Sequence, residues 1–276
     1  MARATQSTHP IETLREAATS LEASVLLCLA KPGPAQIHRL RTTTRRIEAR
    51  LQLLSMLPDL PPRQSQQTGA LHLLKQVRRA TGRVRDIDVQ RNLVRGEVAA
   101  NQASSRPDRH LQAEARHLYR ELRHKRDQEV DRLLRLLHKQ RTQLPLVIEE
   151  LLKALAPAES MTLTAARQTA LVREWYGQPR LNQPAAQDPA ELHAIRKRAK
   201  LARYMAESAP QSSVATRRVT ARFERLQRAG GEWHDWLGLA QVTAHELGDS
   251  AKLTRRFAAH AQRCLRVFQR RLSQPV

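Results

Sequence analysis

Two short stretches decide the fold: residues 36–41 read Gln-Ile-His-Arg-Leu-Arg, and residues 191–196 read Glu-Leu-His-Ala-Ile-Arg. In each, an apolar residue precedes a histidine, and an arginine follows the histidine three positions later. Each stretch comes after a helical segment and a proline-rich break, and each begins a further helical segment. Because these features recur in the same order, the sequence predicts an internal repeat of two similar helical halves.

A third helical segment follows in each half and reaches a Gly-x-x-(Arg/His)-Asp motif, at residues 82–86 and 231–235. We expect both helices to end in a turn at the glycine. Asp86 and Asp235 would then cap a helix, which we favour, or orient a neighbouring arginine. With a boundary near Pro157, the sequence predicts two similar helical bundles side by side, residues 1–156 and 157–276.

Composition supports an all-α fold. Only 3% of the 276 residues are aromatic, 41% are hydrophobic, and helix formers dominate over strand formers. We found no period-two alternation typical of a strand. Asp108 and the pair Asp188-Pro189 are typical of helix starts, and Asp249 or Ser250 could cap a final helix that runs to about Leu272.

The net charge points to an anionic partner. The chain has 48 Lys and Arg against 26 Asp and Glu, a formal charge of +22. Such an excess destabilises a compact fold through self-repulsion unless a polyanion relieves it. Nucleic acid, an anionic membrane surface or polyphosphate could each do so. The alternative is a basic protein whose charged faces are simply solvated.

The motif helices concentrate this charge on one side. The basic stripes consist of His38, Arg41 and Arg45 in the first half, and His193, Arg196, Lys197, Lys200 and Arg203 in the second. The apolar positions fall opposite, at Ile37, Leu40, Ile47, Leu51 and Leu54, and at Leu192, Ile195, Ala199, Ala202 and Ala206. A solvated face usually mixes charge signs, but these stripes hold almost no carboxylate apart from Glu48. The repetition of this costly arrangement favours a bound ligand.

Further cations on the third helices could extend the site: Lys75, Arg78, Arg79 and Arg85 in the first half, and Arg217, Arg218, Arg222 and Arg225 in the second. We expect neighbouring cations to lower the pKa of both histidines, and a bound polyanion to raise it again. Metal binding is the weaker hypothesis, because neither histidine has a ligand partner at metal-site spacing.

The residues resemble the CHAD family, the conserved histidine α-helical domain. The resemblance rests on His38-Arg-Leu-Arg-x3-Arg45-Arg46, Gly82-Arg-Val-Arg-Asp-Ile-Asp-Val89, Leu192-His-x2-Arg-Lys-x2-Lys-x2-Arg203-Tyr204 and Gly231-x2-His-Asp235. It implies two pseudo-symmetric four-helix bundles with a basic pore or groove between them. It also implies binding of inorganic polyphosphate and, in some members, association with polyphosphate granules. The chain resembles a stand-alone member without a fused triphosphate-tunnel domain.

Two positions depart from the family pattern. Glu48 stands where another basic residue is usual, and Trp233 and Trp236 flank a motif that usually has small apolar residues. The glutamate should weaken that side of the site, whereas we interpret the tryptophans as packing residues.

The sequence thus predicts a polyphosphate-binding protein with no catalytic activity, cofactor or metal. Nucleic acid or another polyanion is the alternative ligand, although stacking aromatics are scarce. An enzyme is disfavoured because the stripes lack paired acids to hold Mg²⁺. Without a signal peptide or an apolar run, and with Cys28 and Cys264 isolated, we expect a cytoplasmic location and no membrane partner. The predicted ligand-binding residues are His38, Arg41, Arg45, Arg46, Lys75, Arg79, Arg85, His193, Arg196, Lys197, Lys200, Arg203 and Arg222.

Overall fold

The computed structural model describes residues 7–58, 60–177, 188–210 and 214–274. These residues form nine α-helices: α1 (Pro10–Ala30), α2 (Pro34–Leu54), α3 (Gln64–Gln102), α4 (Arg109–Gln140), α5 (Gln143–Leu155), α6 (Ala165–Gly177), α7 (Pro189–Glu207), α8 (Val214–Leu247) and α9 (Lys252–Leu272). A short 3-10 turn, Ala156–Ala158, follows α5. The all-α fold predicted from the sequence is confirmed.

A two-stranded ladder ties the start of the described chain to the segment before α6. β1 (Ser7–Thr8) pairs antiparallel with β2 (Leu163–Thr164), with Thr8 opposite Leu163. The Thr8 hydroxyl also donates a hydrogen bond to the Leu163 carbonyl at 3.3 Å. The sequence showed no strand pattern here, because strands of two residues are too short to display an alternating period.

The first hydrophobic cluster lies within the first half of the chain. It is formed by α1, α2 and α5, the first half of α3 and the second half of α4, with buried residues such as Leu14, Leu40, Leu74, Leu133 and Ile148. All five apolar positions predicted on α2 belong to this cluster. The face of α2 that carries His38 and Arg41 is therefore left for other contacts.

The second hydrophobic cluster belongs mainly to the second half. It combines α6, α7, the first half of α8 and the end of α9 around Phe223 and Phe268. All five apolar positions predicted on α7 lie in it. Ala49 and Leu53 of α2 join this cluster from the first half, so α2 is clamped between the two cores.

The third hydrophobic cluster is drawn from both halves. The second half of α3 and the first half of α4 pack against the second half of α8 and the start of α9, around Val94, Leu118, Leu239 and Phe257. The two four-helix bundles implied by the family resemblance did not include such a shared core. The internal pseudo-symmetry and the boundary near residue 157 stay predictions.

The predicted turns at Gly82 and Gly230-Gly231 are wrong. α3 and α8 run without interruption through these glycines, so Asp86 and Asp235 lie inside helices and cap nothing. Glycine costs a helix about 1 kcal/mol relative to alanine, a penalty that packing can override. A Cβ at Gly82 would lie 2.7 Å from the Nη1 of Arg41, and one at Gly230 would lie 2.9 Å from the Phe268 ring. Gly82 therefore lets the Arg41 side chain approach the backbone of α3, and Gly230 lets the Phe268 ring approach the backbone of α8.

The helix starts follow the sequence prediction at two of three places. The Asp108 carboxylate accepts hydrogen bonds from the backbone N–H groups of His110 and Leu111 in α4. The Asp188 carboxylate accepts one from the backbone N–H of Ala190 in α7, which opens with Pro189. The predicted cap of α9 by Asp249 or Ser250 is wrong. Glu114 of α4 accepts instead from the backbone N–H groups of Lys252 (3.3 Å) and Leu253 (2.9 Å), a contact distant in sequence.

Substituting alanine at the two adjacent glycines of α8 should change stability in opposite directions. Gly230→Ala forces a methyl group against buried Phe268 and the Arg196 stem, and should lower the free energy of unfolding by about 1–3 kcal/mol. At Gly231 a Cβ meets nothing within 4 Å, so Gly231→Ala should raise it by about 0.5–1 kcal/mol through helix propensity. Urea denaturation measures both values. Equal effects would contradict the packing role of Gly230.

Candidate anion-binding site

α2 and α7 pack against each other, and this contact brings the two basic stripes together. Lys200 of α7 lies among four arginines: Arg41 and Arg45 of α2, Arg85 of α3 and Arg196 of its own helix. Lys197, one turn earlier, lies near Arg45 and near Arg78 and Arg79 of α3. We define the basic cluster as His38, Arg41, Arg45, Arg78, Arg79, Arg85, His193, Arg196, Lys197 and Lys200.

Arg41 joins α2 to α3 from within the cluster. Its Nη1 donates a hydrogen bond to the carbonyl oxygen of Arg78 at 2.8 Å. The guanidinium reaches this backbone only because Gly82, one turn further along α3, presents no side chain. Gly82 was predicted to form a turn, but in the structure it makes room for the Arg41 guanidinium.

Glu48 partly neutralises one side of the cluster. Its Oε2 accepts from the Nη1 of Arg45 at 3.1 Å, and its Oε1 accepts from the Nε of Arg78 at 2.6 Å. The Glu48 side chain is only 10% exposed, so the pairs are shielded from solvent. This agrees with the sequence-based expectation that Glu48 weakens the positive charge on that side.

Asp235 neutralises the other side and links the two halves. Arg85 donates to both of its carboxylate oxygens, from Nη1 at 2.7 Å and from Nη2 at 3.0 Å. The Arg85 Nη1 also donates to Asp86 at 3.1 Å. Burial acts to lower the pKa of Arg85, but these hydrogen bonds raise it above its ordinary value. Of the two roles considered for these aspartates, orienting an arginine is the one the structure shows.

Lys200 and Arg196 have no carboxylate within ion-pairing distance in the part of the chain that the structure describes. Burial, followed by repulsion from Arg41 and the other arginines, lowers the pKa of Lys200 from 10.5 to about 7. Burial likewise lowers the pKa of Arg196 to about 10, and its Nε is buried without a hydrogen-bond partner. These two side chains leave the cluster with positive charge to offer to an anion.

The motif histidines lie at the edge of the cluster. Burial and then the charges of Arg85, Lys200 and Arg41 lower the pKa of His38, and burial followed by Arg196 and Lys197 lowers that of His193. The predicted direction is confirmed, although burial contributes more than the neighbouring cations. Both rings are therefore mainly neutral at pH 7.

Sequence reasoning did not assign a role to His234. Its ring centroid lies 5.1 Å from that of His193, and burial lowers its pKa to about 4. The signal was present in the repeat, because His234 occupies the motif position that Arg85 occupies in the first half.

Four predicted ligand-binding residues lie apart from the basic cluster. Arg46 and Lys75 are exposed on α2 and α3. Arg203 is engaged by Glu207 at 2.6 Å and by Gln227. Arg222 is 7% exposed and donates to the carbonyl oxygens of Arg271, at 2.9 Å, and Gln274, so it holds the end of α9. A basic residue on a helix that contributes to the cluster therefore does not necessarily belong to the cluster.

The described residues also bear on metals and membranes. Within them, no three His, Cys, Asp or Glu side chains come together in a group that could hold a metal ion. None of the helices in these ranges combines the length and the apolar character that a membrane crossing requires. Cys28 and Cys264 are free thiols.

The fold and this cluster define an all-α protein in which helices from both halves of the chain concentrate arginine and lysine at one site. The family model for the CHAD domain matches residues 12–244, so the chain belongs to the CHAD family. A search of curated protein sequences finds no match.

Two solved structures share the fold. The crystal structure of the CHAD domain from the plant Ricinus communis is similar with a TM-score of 0.70 and 16% identity, over 100% of this chain and 95% of that one. PptA from Streptomyces chartreusis is similar with a TM-score of 0.64 and 16% identity, over 96% of this chain and 98% of that one. At this identity the likeness establishes the fold.

Replacing Lys200 by methionine should raise stability at pH 7 and flatten its dependence on pH. The folded-state pKa of about 7 lies below the ordinary 10.5, so between these values the unfolded chain binds more protons and stability rises with pH. Lys200→Met removes this slope and should add at least about 1 kcal/mol at pH 7, because an uncompensated charge leaves the interior. Urea denaturation at pH 7, 8 and 9 measures both effects.

The matched control is Lys139→Met, at an exposed lysine on the outer face of α4. It should leave the pH slope as in the unmodified chain. Parallel stability curves for the unmodified chain and Lys200→Met would show that Lys200 is not held in a charge-repelling environment.

Proposed function

We propose that the protein binds inorganic polyphosphate at the basic cluster. The observation that carries this proposal is the convergence of α2, α3 and α7 on one group of arginines and lysines, in which Lys200 and Arg196 form no ion pair with a carboxylate of the described residues. Membership of the CHAD family supports it, because the resemblance noted from the sequence implies this ligand.

The chemistry of the cluster suits a chain of phosphates. Polyphosphate carries about one negative charge per phosphate and offers neither base nor sugar to read, so its receptor needs only spaced donors and positive charge. Arginine offers a planar pair of donors to phosphate oxygens, and lysine offers a compact charge. Helices on several sides present these groups from a partly buried position, where the electrostatic attraction is less screened than on an open surface.

Nucleic acid is the competing ligand, and the aromatic residues disfavour it. Trp233 is buried against Phe268, with ring centroids 5.8 Å apart, and Trp236 stacks on His260 at 4.4 Å. These rings serve packing and give no platform for unpaired bases. Equal affinity for polyphosphate and for nucleic acids would favour nucleic acid, or polyanions in general, as the ligand.

We also propose that the protein binds without turnover. Phosphoryl transfer usually depends on carboxylates that hold Mg²⁺ beside the phosphate. The two aspartates nearest the cluster, Asp86 and Asp235, both accept hydrogen bonds from Arg85. A cytoplasmic location at polyphosphate granules is part of the same proposal, and it rests on the family resemblance.

Reversing two charges of the cluster should abolish binding. The double variant Arg45→Glu/Lys200→Glu removes one cation from α2 and one from α7. A charge-assisted hydrogen bond contributes about 1.5–3 kcal/mol, so the affinity should fall by about 100-fold or more. Calorimetric titration with long-chain polyphosphate at two salt concentrations measures this, and circular dichroism checks that helical content is unchanged.

The control carries the same charge change away from the cluster, as Arg123→Glu/Lys139→Glu on the exposed face of α4. It should lose less than about threefold, through long-range attraction alone. Equal losses in both double variants would place binding elsewhere. Titration with triphosphate, single-stranded DNA and duplex RNA completes the test, since equal affinities lost together in salt would mean general polyanion binding.

Removing the charge of Glu48 should strengthen binding. Glu48→Gln frees Arg45 and Arg78 from a shielded carboxylate, so polyphosphate should bind about fivefold more tightly, equivalent to about 1 kcal/mol. The dependence of log affinity on log salt should become steeper, as expected when more cations contact the ligand.

The matched control for this substitution is Glu149→Gln, at an exposed glutamate of α5 that pairs with Lys153 at 2.8 Å. It should leave the affinity unchanged. Weaker binding by Glu48→Gln would mean that the glutamate instead holds its arginines in the binding geometry.

A further inference from the structure

A cavity lies between α3 and α4, separate from the basic cluster. Its volume is about 730 Å³, and the aliphatic side chains of its wall that are accessible to solvent are Val98 and Ala113. Arg95, on its α3 side, lies ten residues beyond Arg85. At 1.5 Å per residue this is roughly 15 Å along the helix. The proposed polyphosphate site makes no use of this cavity.

Three arginines line the apolar cavity: Arg95 of α3, and Arg116 and Arg120 of α4. None of them forms an ion pair with a carboxylate of the described chain. Arg116 donates only to the carbonyl oxygen of Gln112 in its own helix, at 3.3 Å. The cavity therefore combines an apolar wall with guanidinium groups that have no counterion there.

Tyr119 adds a polar group to the same wall. Its hydroxyl oxygen accepts from the Nη2 of Arg91 at 2.9 Å and also from Arg95. Because both arginines donate to the oxygen, the phenolic hydrogen is free to point at another acceptor. Partial burial acts to raise the pKa of Tyr119, but the hydrogen bonds from Arg91 and Arg95 lower it, which makes the hydroxyl a stronger donor.

These features select a ligand with an apolar ring and several anionic oxygens. A bare polyphosphate chain would leave the apolar wall uncovered. A nucleotide has both parts: a flat base that can cover aliphatic side chains or stack on a guanidinium, and phosphates that arginine binds in pairs of hydrogen bonds.

We propose that the cavity between α3 and α4 binds a nucleoside triphosphate, with the base against Val98 and Ala113 and the phosphates on Arg95, Arg116 and Arg120. The volume lies in the range of small-molecule sites, roughly 300–1,000 Å³. Tyr119 donates its hydroxyl hydrogen to a phosphate oxygen.

The test is calorimetric titration with ATP, using the Arg45→Glu/Lys200→Glu variant so that the basic cluster does not take up the nucleotide. We expect one saturable site. Arg120→Gln in this background should weaken it at least tenfold. Arg123→Gln, the same charge change one turn along α4 but outside the cavity, should not. Inorganic triphosphate, which lacks the base, should bind this site at least tenfold more weakly than ATP.

A second substitution keeps the test valid if the charge-reversed variant does not fold. Ala113 lies at the exposed rim of the cavity, so Ala113→Trp in the unmodified chain should fill it and remove one ATP site. Ala259→Trp, at an exposed position of α9, should remove none.

Three outcomes would overturn the proposal. Equal losses in Arg120→Gln and Arg123→Gln would mean attraction by net charge alone. Triphosphate binding as tightly as ATP would mean that the base is not recognised. Displacement of ATP by dodecanoate at lower concentration would identify an aliphatic anion as the ligand. Polyphosphate binding by the unmodified chain is measured separately, so this proposal and the proposed function can fail independently.

Discussion

Repulsion among like charges held between α2, α3 and α7 is the constraint on which the rest of the structure depends. Placing Lys200 among four arginines costs free energy, and the ion pairs within the cluster offset only part of that cost. The fold tolerates this cost because α2 is clamped between two hydrophobic clusters, each of which buries one set of its apolar side chains. Apolar packing supplies the stabilisation, and the cations are held where that packing places them.

The two embedded carboxylates set how much of that repulsion remains. Glu48 joins cations of α2 and α3, and Asp235 joins Arg85 of the first half to α8 of the second. Both carboxylates offset part of the free-energy cost of burying a charged guanidinium. They leave Lys200 surrounded by arginines with no ion-pairing carboxylate among the described residues, so the unliganded protein is folded but retains a preference for negative charge. Structural ion pairs and ligand-binding cations lie side by side in one cluster.

Much of this could be predicted from the sequence, because it depends on local pattern. The apolar faces of α2 and α7 follow from helical periodicity, and the caps at Asp108 and Asp188 follow from the residue types at the helix starts. The meeting of the two basic stripes was implied by the family resemblance. The predictions that were wrong concern contacts between segments distant in the sequence. Gly82 was interpreted as a turn because its partner, Arg41, lies on another helix. Glu114 of α4 caps α9, and Arg222 binds the end of α9. The local sequence around these residues does not indicate either contact.

The third hydrophobic cluster has a consequence for how the protein can be built. Val94 and Leu118 come from the first half, and Leu239 and Phe257 from the second, so neither half can cover these side chains alone. The two halves depend on each other as the subunits of an obligate heterodimer do, although they belong to one polypeptide. Their covalent linkage fixes the stoichiometry at one to one, and with it the alignment of α2 against α7. A chain of this kind acquires its cationic cluster only when both halves have been synthesised.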